Sequence, residues 1–174
     1  MKIKDAEIGK IKHCQICSSS NLDNVVSLGF SGLCDSLLTY DDLNNSEESF
    51  PLNLLRCKNC QLLQLNYVVD NKQVFHLNYP YKSGITQPLK SYLHSTSAYV
   101  KEKFNFDKNP LAVDIGSNDG TLLEGFKNNN FKVLGVEPTN IVKIANRKGI
   151  KTIQKFFDMN TAKIIKKKYK KVEV

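Results

Sequence analysis

The stretch Leu111-Ala-Val-Asp-Ile-Gly-Ser-Asn-Asp-Gly120 constrains this chain more than any other. Leu111 to Ile115 is a short apolar run of the kind that makes a strand buried on both faces, as in a parallel sheet. Gly116 to Gly120 then turns, and Thr121-Leu-Leu-Glu-Gly-Phe126 opens a helix. Thr121 or Asp119 is suited to cap it, and Glu124 stands three residues after Thr121, the spacing of a capping box. The two glycines let backbone approach a ligand with no side chain in the way. A second apolar run, Lys132 to Val136, ends on Glu137, 17 residues after Gly120. A carboxylate at the tip of the second strand of such a unit is placed to accept both hydroxyls of a ribose. The pattern predicts a nucleoside-binding βαβ unit, against the plainer reading of a strand-turn-helix with no ligand.

The spacing chooses among nucleosides. A dinucleotide site needs G-x-G-x-x-G, so that a pyrophosphate can sit on the helix N-terminus. Here the glycines stand as G-x-x-x-G, with the acids Asp114 and Asp119 in or beside the turn. Negative charge there repels a pyrophosphate and suits a ligand carrying an ammonium and a sulfonium. S-adenosylmethionine has both.

Upstream, Cys14-Gln-Ile-Cys17 is followed after 39 residues by Cys57-Lys-Asn-Cys60. Two C-x-x-C pairs are the sequence form of two zinc knuckles whose four thiolates close a tetrahedral structural site, with iron the competing metal. About 60 residues with few large apolar side chains would be marginal without such a staple. A redox motif uses one such pair before a helix, not two. Cys34 is then a fifth thiol without a place in a tetrahedral set, expected to be free and at least partly buried among Leu33, Leu37 and Leu38. His13 and His76 could substitute for a cysteine, but four cysteines suffice.

No apolar run approaches the ~18 residues that span a bilayer, and Met1-Lys-Ile-Lys-Asp-Ala-Glu7 has no signal-peptide core. A soluble, cytoplasmic protein without membrane partners is expected. The net charge of +8 over 174 residues comes mostly from lysine, much of it in the last twelve residues. A zinc-ribbon nucleic-acid binder would interleave basic and aromatic residues on one face. These lysines are dispersed or lie far from the knuckles, so no nucleic-acid partner is expected; that role and a scaffold role are the alternatives.

Residues 1–12 alternate charged and apolar, as in a short strand, and residues 39–50 form a polar loop. Pro51 to Arg56 should run as a strand into the second knuckle and Leu62 to Val68 as another out of it. Tyr79 and Tyr81 share one side of an extended stretch, as a substrate-facing pair or as linker packing. Pro88 to Phe104 reads as a bridging helix with Leu89, Tyr92, Leu93, Ala98 and Val100 on its apolar positions, and His94 on it as a surface or packing residue. Asn140 to Arg147 is a second helix ended by Gly149, Ile150 to Phe157 a strand, and Thr161 to Lys171 a helix facing the sheet with Ala162, Ile164, Ile165 and Tyr169. Val172 to Val174 opens a further strand. The expected organisation is a zinc-binding domain at 1–75, a linker and bridging helix at 76–108, and a partial S-adenosylmethionine-binding domain at 109–174. The second half of a doubly wound sheet is missing from this plan, which reads as a partial chain or one completed by another polypeptide.

With these residues in place, the chain resembles the S-adenosylmethionine-dependent sugar C-methyltransferases that carry an N-terminal zinc-binding domain and act on nucleotide-linked deoxysugars. The resemblance runs through Cys14-x-x-Cys17, Leu33-Cys-Asp-Ser-Leu-Leu38, Cys57-x-x-Cys60, Tyr79-x-Tyr81-x-Ser83, Ile115-Gly-Ser-Asn-Asp-Gly-Thr-Leu-Leu123, Leu134-Gly-Val-Glu-Pro138 and Phe156-Phe157. Cys34-Asp35 stand where the family tends to have Ala-Asn, and Gly84 replaces a second serine. The fold implied is α/β: a zinc-ribbon-like β unit followed by the first half of a Rossmann-like class I methyltransferase fold. The resemblance implies zinc on Cys14, Cys17, Cys57 and Cys60. It places S-adenosylmethionine along Asp114, Gly116, Ser117, Asn118, Asp119, Gly120, Glu137 and Pro138, with Phe157 near the adenine. Tyr79, Tyr81 and Ser83 are implied to bind the sugar. The family's catalytic base falls in a Glu-His region beyond Val174, so this chain by itself is expected to methylate nothing.

Overall fold

The computed structural model describes residues 7–174 and divides into two compact units, Met1–Val74 and Phe75–Val174. The strand expected over residues 1–12 lies partly outside the described residues; what is described is Gly9–Lys10 (β1).

In the first unit, Leu22–Ser31 (β2), Phe50–Cys57 (β3) and Leu63–Leu65 (β4) form an antiparallel sheet in the order β2-β3-β4. β1 pairs with Tyr67–Val68 (β5) in a two-stranded ribbon. The single strand expected from Leu62 to Val68 is broken at Asn66. That residue donates its amide to the Asn53 carbonyl, its Oδ1 accepts from the Asn53 amide, and the chain then pairs with β1 instead. β2, the longest strand, was not expected. Its signal is Val25-Val-Ser-Leu-Gly-Phe30, interrupted by Gly29 at φ 77° inside a register shift, a bulge that lets the strand bend. The polar loop holds a 3-10 turn at Tyr40–Asn44, and Asn71–Val74 (α1) closes the unit.

Among the described residues of this unit, the buried apolar side chains are Cys14 and Cys57 alone. Phe30 is 73% and Leu37 76% exposed. The expectation for Cys34 is corrected by the same fact: the thiol is exposed, because Leu37 and Leu38 beside it find no core to enter. The unit collapses around its cysteines, not around its leucines.

The second unit is built conventionally. Leu111–Ile115 (β6), Lys132–Val136 (β7) and Thr152–Ile153 (β8) form a parallel sheet in the order β6-β7-β8. Val172 to Val174 hydrogen-bond along the other edge of β6, through Val113 N to Val174 O at 2.8 Å and Glu173 N to Leu111 O at 3.0 Å. Side chains alternate across the strands. Ala112 and Val133 point into a core shared with Gln87–Lys103 (α2), Thr121–Asn128 (α3) and Val142–Arg147 (α4), where Leu123, Phe126, Phe131, Ala145 and Ile150 meet. Leu111, Leu134 and Val136 point to the opposite face, under Ile165 and Tyr169 of Met159–Tyr169 (α5).

Several expected faces shift. On α2 the buried residue is Ser97, Tyr92 is exposed, and Ser97 lies across from Gly125 of α3. A Cβ on Gly125 would stand 2.7 Å from Ser97 Oγ, so two small residues set how close these helices pack. On α5 the inward positions are Thr161, Ile165 and Tyr169, one per turn and a little more, while Ile164 is turned largely outward. The third strand is two residues rather than the expected Ile150 to Phe157, since Lys155 N bonds back to Ile153 O and bends the chain away. The capping box at Thr121 does not form. Gly120, at φ 79°, holds the N-cap position, and Asp119 Oδ1 accepts the Thr121 amide.

Candidate metal centre and cofactor site

The two knuckles have the same build. Ser18 N donates to Cys14 O and Gln61 N to Cys57 O, each at 2.9 Å, and Ser18 and Gln61 both take positive φ. These tight turns lay Cys14 Sγ 3.5 Å from Cys60 Sγ and Cys17 Sγ 3.5 Å from Cys57 Sγ. All four sulfurs lie within 4.8 Å of one another. A tetrahedron with Zn–S bonds of ~2.3 Å has edges of about 3.8 Å, so the cluster is sized for the ion. Gln64 Oε1 accepts the Gln15 amide and ties the first knuckle to β4. The backbone N–H of Ser19, then the Asn59 side chain, lowers the Cys17 thiol to about 6. Cys60 is pushed up to about 12: the Leu62 amide favours its thiolate, but burial and the three neighbouring sulfurs outweigh it. Four crowded thiols cannot all ionise by themselves, and a divalent cation removes that conflict. Cys34, His13 and His76 are not in the cluster.

In the second unit, the glycine turn curls sideways over β7: Gly116 N and Ser117 N both donate to Val136 O. Among the described residues, Ser117 Oγ is buried without a hydrogen-bond partner, and Gly135 lacks a Cβ where one would stand 2.4 Å from it. Glu137, just past β7, is buried. Its Oε1 accepts from the Thr139 amide at 2.9 Å and hydroxyl at 2.7 Å, and its Oε2 accepts from the Asn118 amide at 3.0 Å. Among the described residues, that leaves one acceptor position without a donor, on Oε2. Asp114, on β6, accepts no hydrogen bond among the described residues; burial first, and the Glu137 carboxylate second, raise its pKa to about 6.

The side chains of Asn118 and Asp119 bond to the Tyr81 to Gly84 segment. Asn118 Oδ1 accepts from Ser83 N at 2.9 Å, and Asn118 Nδ2 donates to Tyr81 O at 3.0 Å. Asp119 Oδ2 accepts from Gly84 N at 3.1 Å and from Lys148 Nζ at 3.4 Å, while Oδ1 holds the Thr121 amide and hydroxyl. Tyr79 is half-buried against Phe75 and His76, Tyr81 is 45% exposed, and Phe157 lies in the loop after β8, 44% exposed. The structure thus gathers Asp114, the glycine turn and Glu137, docks Ser83 on the turn, and leaves Phe157 on an open loop. His94 lies 3.5 Å from Glu124, in the α2–α3 packing. Thr139, Lys148 and Gly84 were missed. A threonine two residues after an acid was a readable signal for a side-chain turn; nothing local announced the other two.

Residues 14–75 match a family model, Methyltransf_13, described as a zinc binding domain. The C-methyltransferase NovU of Streptomyces niveus is 30% identical over 144 residues, covering 82% of this chain and 34% of that protein. The chain is thus similar to a C-methyltransferase over most of its own length, and its first unit matches a zinc-binding domain. Its four clustered cysteines could hold a zinc ion with four thiolates, a donor set that leaves no open position for chemistry, as in structural sites. The chain spans about a third of the length of the curated relative it matches. Among its described residues, no helix is long and apolar enough to cross a membrane.

Proposed function

We propose that the second unit is the S-adenosylmethionine-binding portion of a Rossmann-like class I fold, in a cytoplasmic C-methyltransferase whose substrate is a nucleotide-linked deoxysugar. The observation that carries this reading is the pair of acids at the ends of adjacent parallel strands. Asp114 is held half-desolvated without a donor, and Glu137 keeps one acceptor position open. A site of that kind disfavours phosphate and suits a cationic nucleoside. Strand order supports the place as well: the sheet reverses beside β6, where Val172 to Val174 take its other edge, and ligands of open α/β sheets bind at such a reversal.

S-adenosylmethionine, when bound, supplies an electrophilic methyl group on a sulfonium. In this reading Glu137 takes a ribose hydroxyl on Oε2, and Asp114 faces the cationic end. Gly116, Ser117 and Gly120 give close backbone approach, and Pro138 and Phe157 border the adenine. Tyr79, Tyr81 and Ser83 position the sugar as hydrogen-bond donors, because a tyrosine with its ordinary pKa of ~10 is a poor base at neutral pH. No residue of this chain is assigned as the base. The nucleic-acid alternative gains nothing from β2, whose exposed side chains Val25, Leu28 and Phe30 are apolar rather than basic.

Isothermal titration of the chain with S-adenosylmethionine tests the reading. Glu137→Gln keeps the shape but loses the charge, which is worth ~1.5–3 kcal/mol in a charge-assisted hydrogen bond, so affinity should fall about 10- to 100-fold. Binding that is equal in the two proteins would remove Glu137 from the site.

A further inference from the structure

We propose that Asn118 and Asp119 are positioning residues that fasten the Tyr81–Gly84 strap to the glycine turn, so that the cofactor-facing and sugar-facing segments move as one piece. The motif Gly116-Ser-Asn-Asp-Gly120 invites all its polar side chains to be read as ligand contacts. The geometry divides them.

Asn118 sits in the left-handed region, φ 49°, where a short amide side chain is tolerated and can reach neighbouring backbone. Its amide is used on both ends: Oδ1 accepts from Ser83 N and Asp119 N, each at 2.9 Å, and Nδ2 donates to Tyr81 O at 3.0 Å. A side chain that pairs with a donor and an acceptor of the same strap fixes its register, not merely its proximity. Asp119 completes the clasp at Gly84 N. With two donors on each oxygen, its four acceptor positions are filled, and it has none to offer a cationic ligand. Burial alone would raise its pKa; the Thr121 hydroxyl, the Lys148 ammonium and the amides of Thr121 and Gly84 overcome this and hold the carboxyl below its ordinary range.

Gly84 fits the same account from the other side. A Cβ there would stand 2.6 Å from Thr121 Oγ1 and 2.7 Å from Asp119 Oδ2, so a side chain at this position would push the strap off the carboxylate. In this chain, Gly84 is thus a position at which the clasp leaves no room for a side chain. The clasp itself stands on these contacts; that it joins a cofactor site to a sugar site rests on the function proposed above.

Residue-resolved amide hydrogen exchange by NMR on the whole zinc-loaded chain separates the two. The Ser83 and Gly84 amides should exchange slowly without ligand, being bonded to buried side chains. Asn118→Ala should speed Ser83 at least about tenfold with Gly84 less affected. Asp119→Asn should do the reverse, and Leu134 and Val136 in β7 should stay slow in both, showing that the sheet is intact. Gly84→Ala, which leaves both side chains of the clasp in place, should speed Ser83 and Gly84 together. It serves as the deciding variant if either of the others loses protection at Leu134 and Val136. S-adenosylmethionine should further slow Ser83 and Gly84 in the wild type, but only the turn amides Gly116 and Gly120 in Asn118→Ala and Asp119→Asn. Fast exchange at Ser83 and Gly84 in the wild type, no change at Gly84 in Asp119→Asn or Gly84→Ala, or ligand-induced slowing that survives in the variants would each overturn the proposal. If the ligand slows no amide in the wild type, the cofactor reading fails, while the clasp is still judged by the ligand-free spectra.

Discussion

Replacing Asp114 by Asn should make the second unit more stable at neutral pH. The carboxyl has a folded pKa of about 6. An unfolded Asp titrates near ~3.9, so the shift is roughly 2 units, or about 3 kcal/mol at ~1.4 kcal/mol per unit. The sign follows from the direction. A carboxyl whose pKa is raised by folding prefers to be protonated in the native state, so its contribution to stability is full below about pH 4 and lost as the pH rises through about 6. Asparagine mimics the neutral form at every pH. The two proteins should therefore differ little near pH 4 and by about 2–3 kcal/mol at pH 7.5, a Tm shift of roughly 10 °C for a unit of this size. Helices α2 to α5 all belong to the second unit, so circular dichroism at 222 nm during urea unfolding follows that unit with little signal from the zinc-binding one. Asp119 and Asp158 have lowered pKa values and pull the other way in acid, but they are common to both proteins and cancel in the difference. Equal stability at pH 7.5, or a gap that widens toward pH 4, would refute the reasoning. A gain in stability accompanied by weaker S-adenosylmethionine binding would show that the native acid is held there against the fold's own preference.

Two further outcomes concern the metal unit. Cys57→Ser should lower bound zinc from one ion per chain to near zero, measured by elemental analysis, and melt the β2-β3-β4 sheet, because the unit has almost no apolar core to fall back on. Full zinc content in that variant would show that the ligand set is wrong. Cys34 should react readily with a thiol reagent in the folded, zinc-loaded protein, and Cys34→Ala should leave zinc content unchanged; a protected Cys34 or a loss of zinc would contradict its exposure.

How much of this was legible in sequence differs between the units for a physical reason. In the second unit, apolar runs bounded by glycines report their own structure: β6, α3, β7 and α4 fall close to where the pattern puts them, since a strand buried on both faces must be apolar throughout. What failed there were helix faces and ends. Tyr92 and Ile164 look like core residues but are exposed, while Ser97 and Thr161 are buried because close helix approach and a side-chain cap require small or polar groups at those points. In the first unit the cysteines and the strand from Pro51 to Arg56 announced themselves, and little else did. β2 was missed and Cys34 was misplaced because hydrophobicity there does not report burial. At the site, the acids and glycines were visible from spacing alone. Their division into open acceptor and closed clasp was not, because it depends on Tyr81 to Gly84 returning from 35 residues upstream.

Glu137 meets any ligand already tethered at three points, by Asn118 and by Thr139 twice. A carboxylate so held has few rotamers left to search, and the turn it supports is assembled before any ligand comes. If Glu137 takes a ribose hydroxyl as proposed, little protein entropy remains to be lost on binding. Discrimination between nucleosides would then be expected in how long each one stays rather than in how quickly it enters.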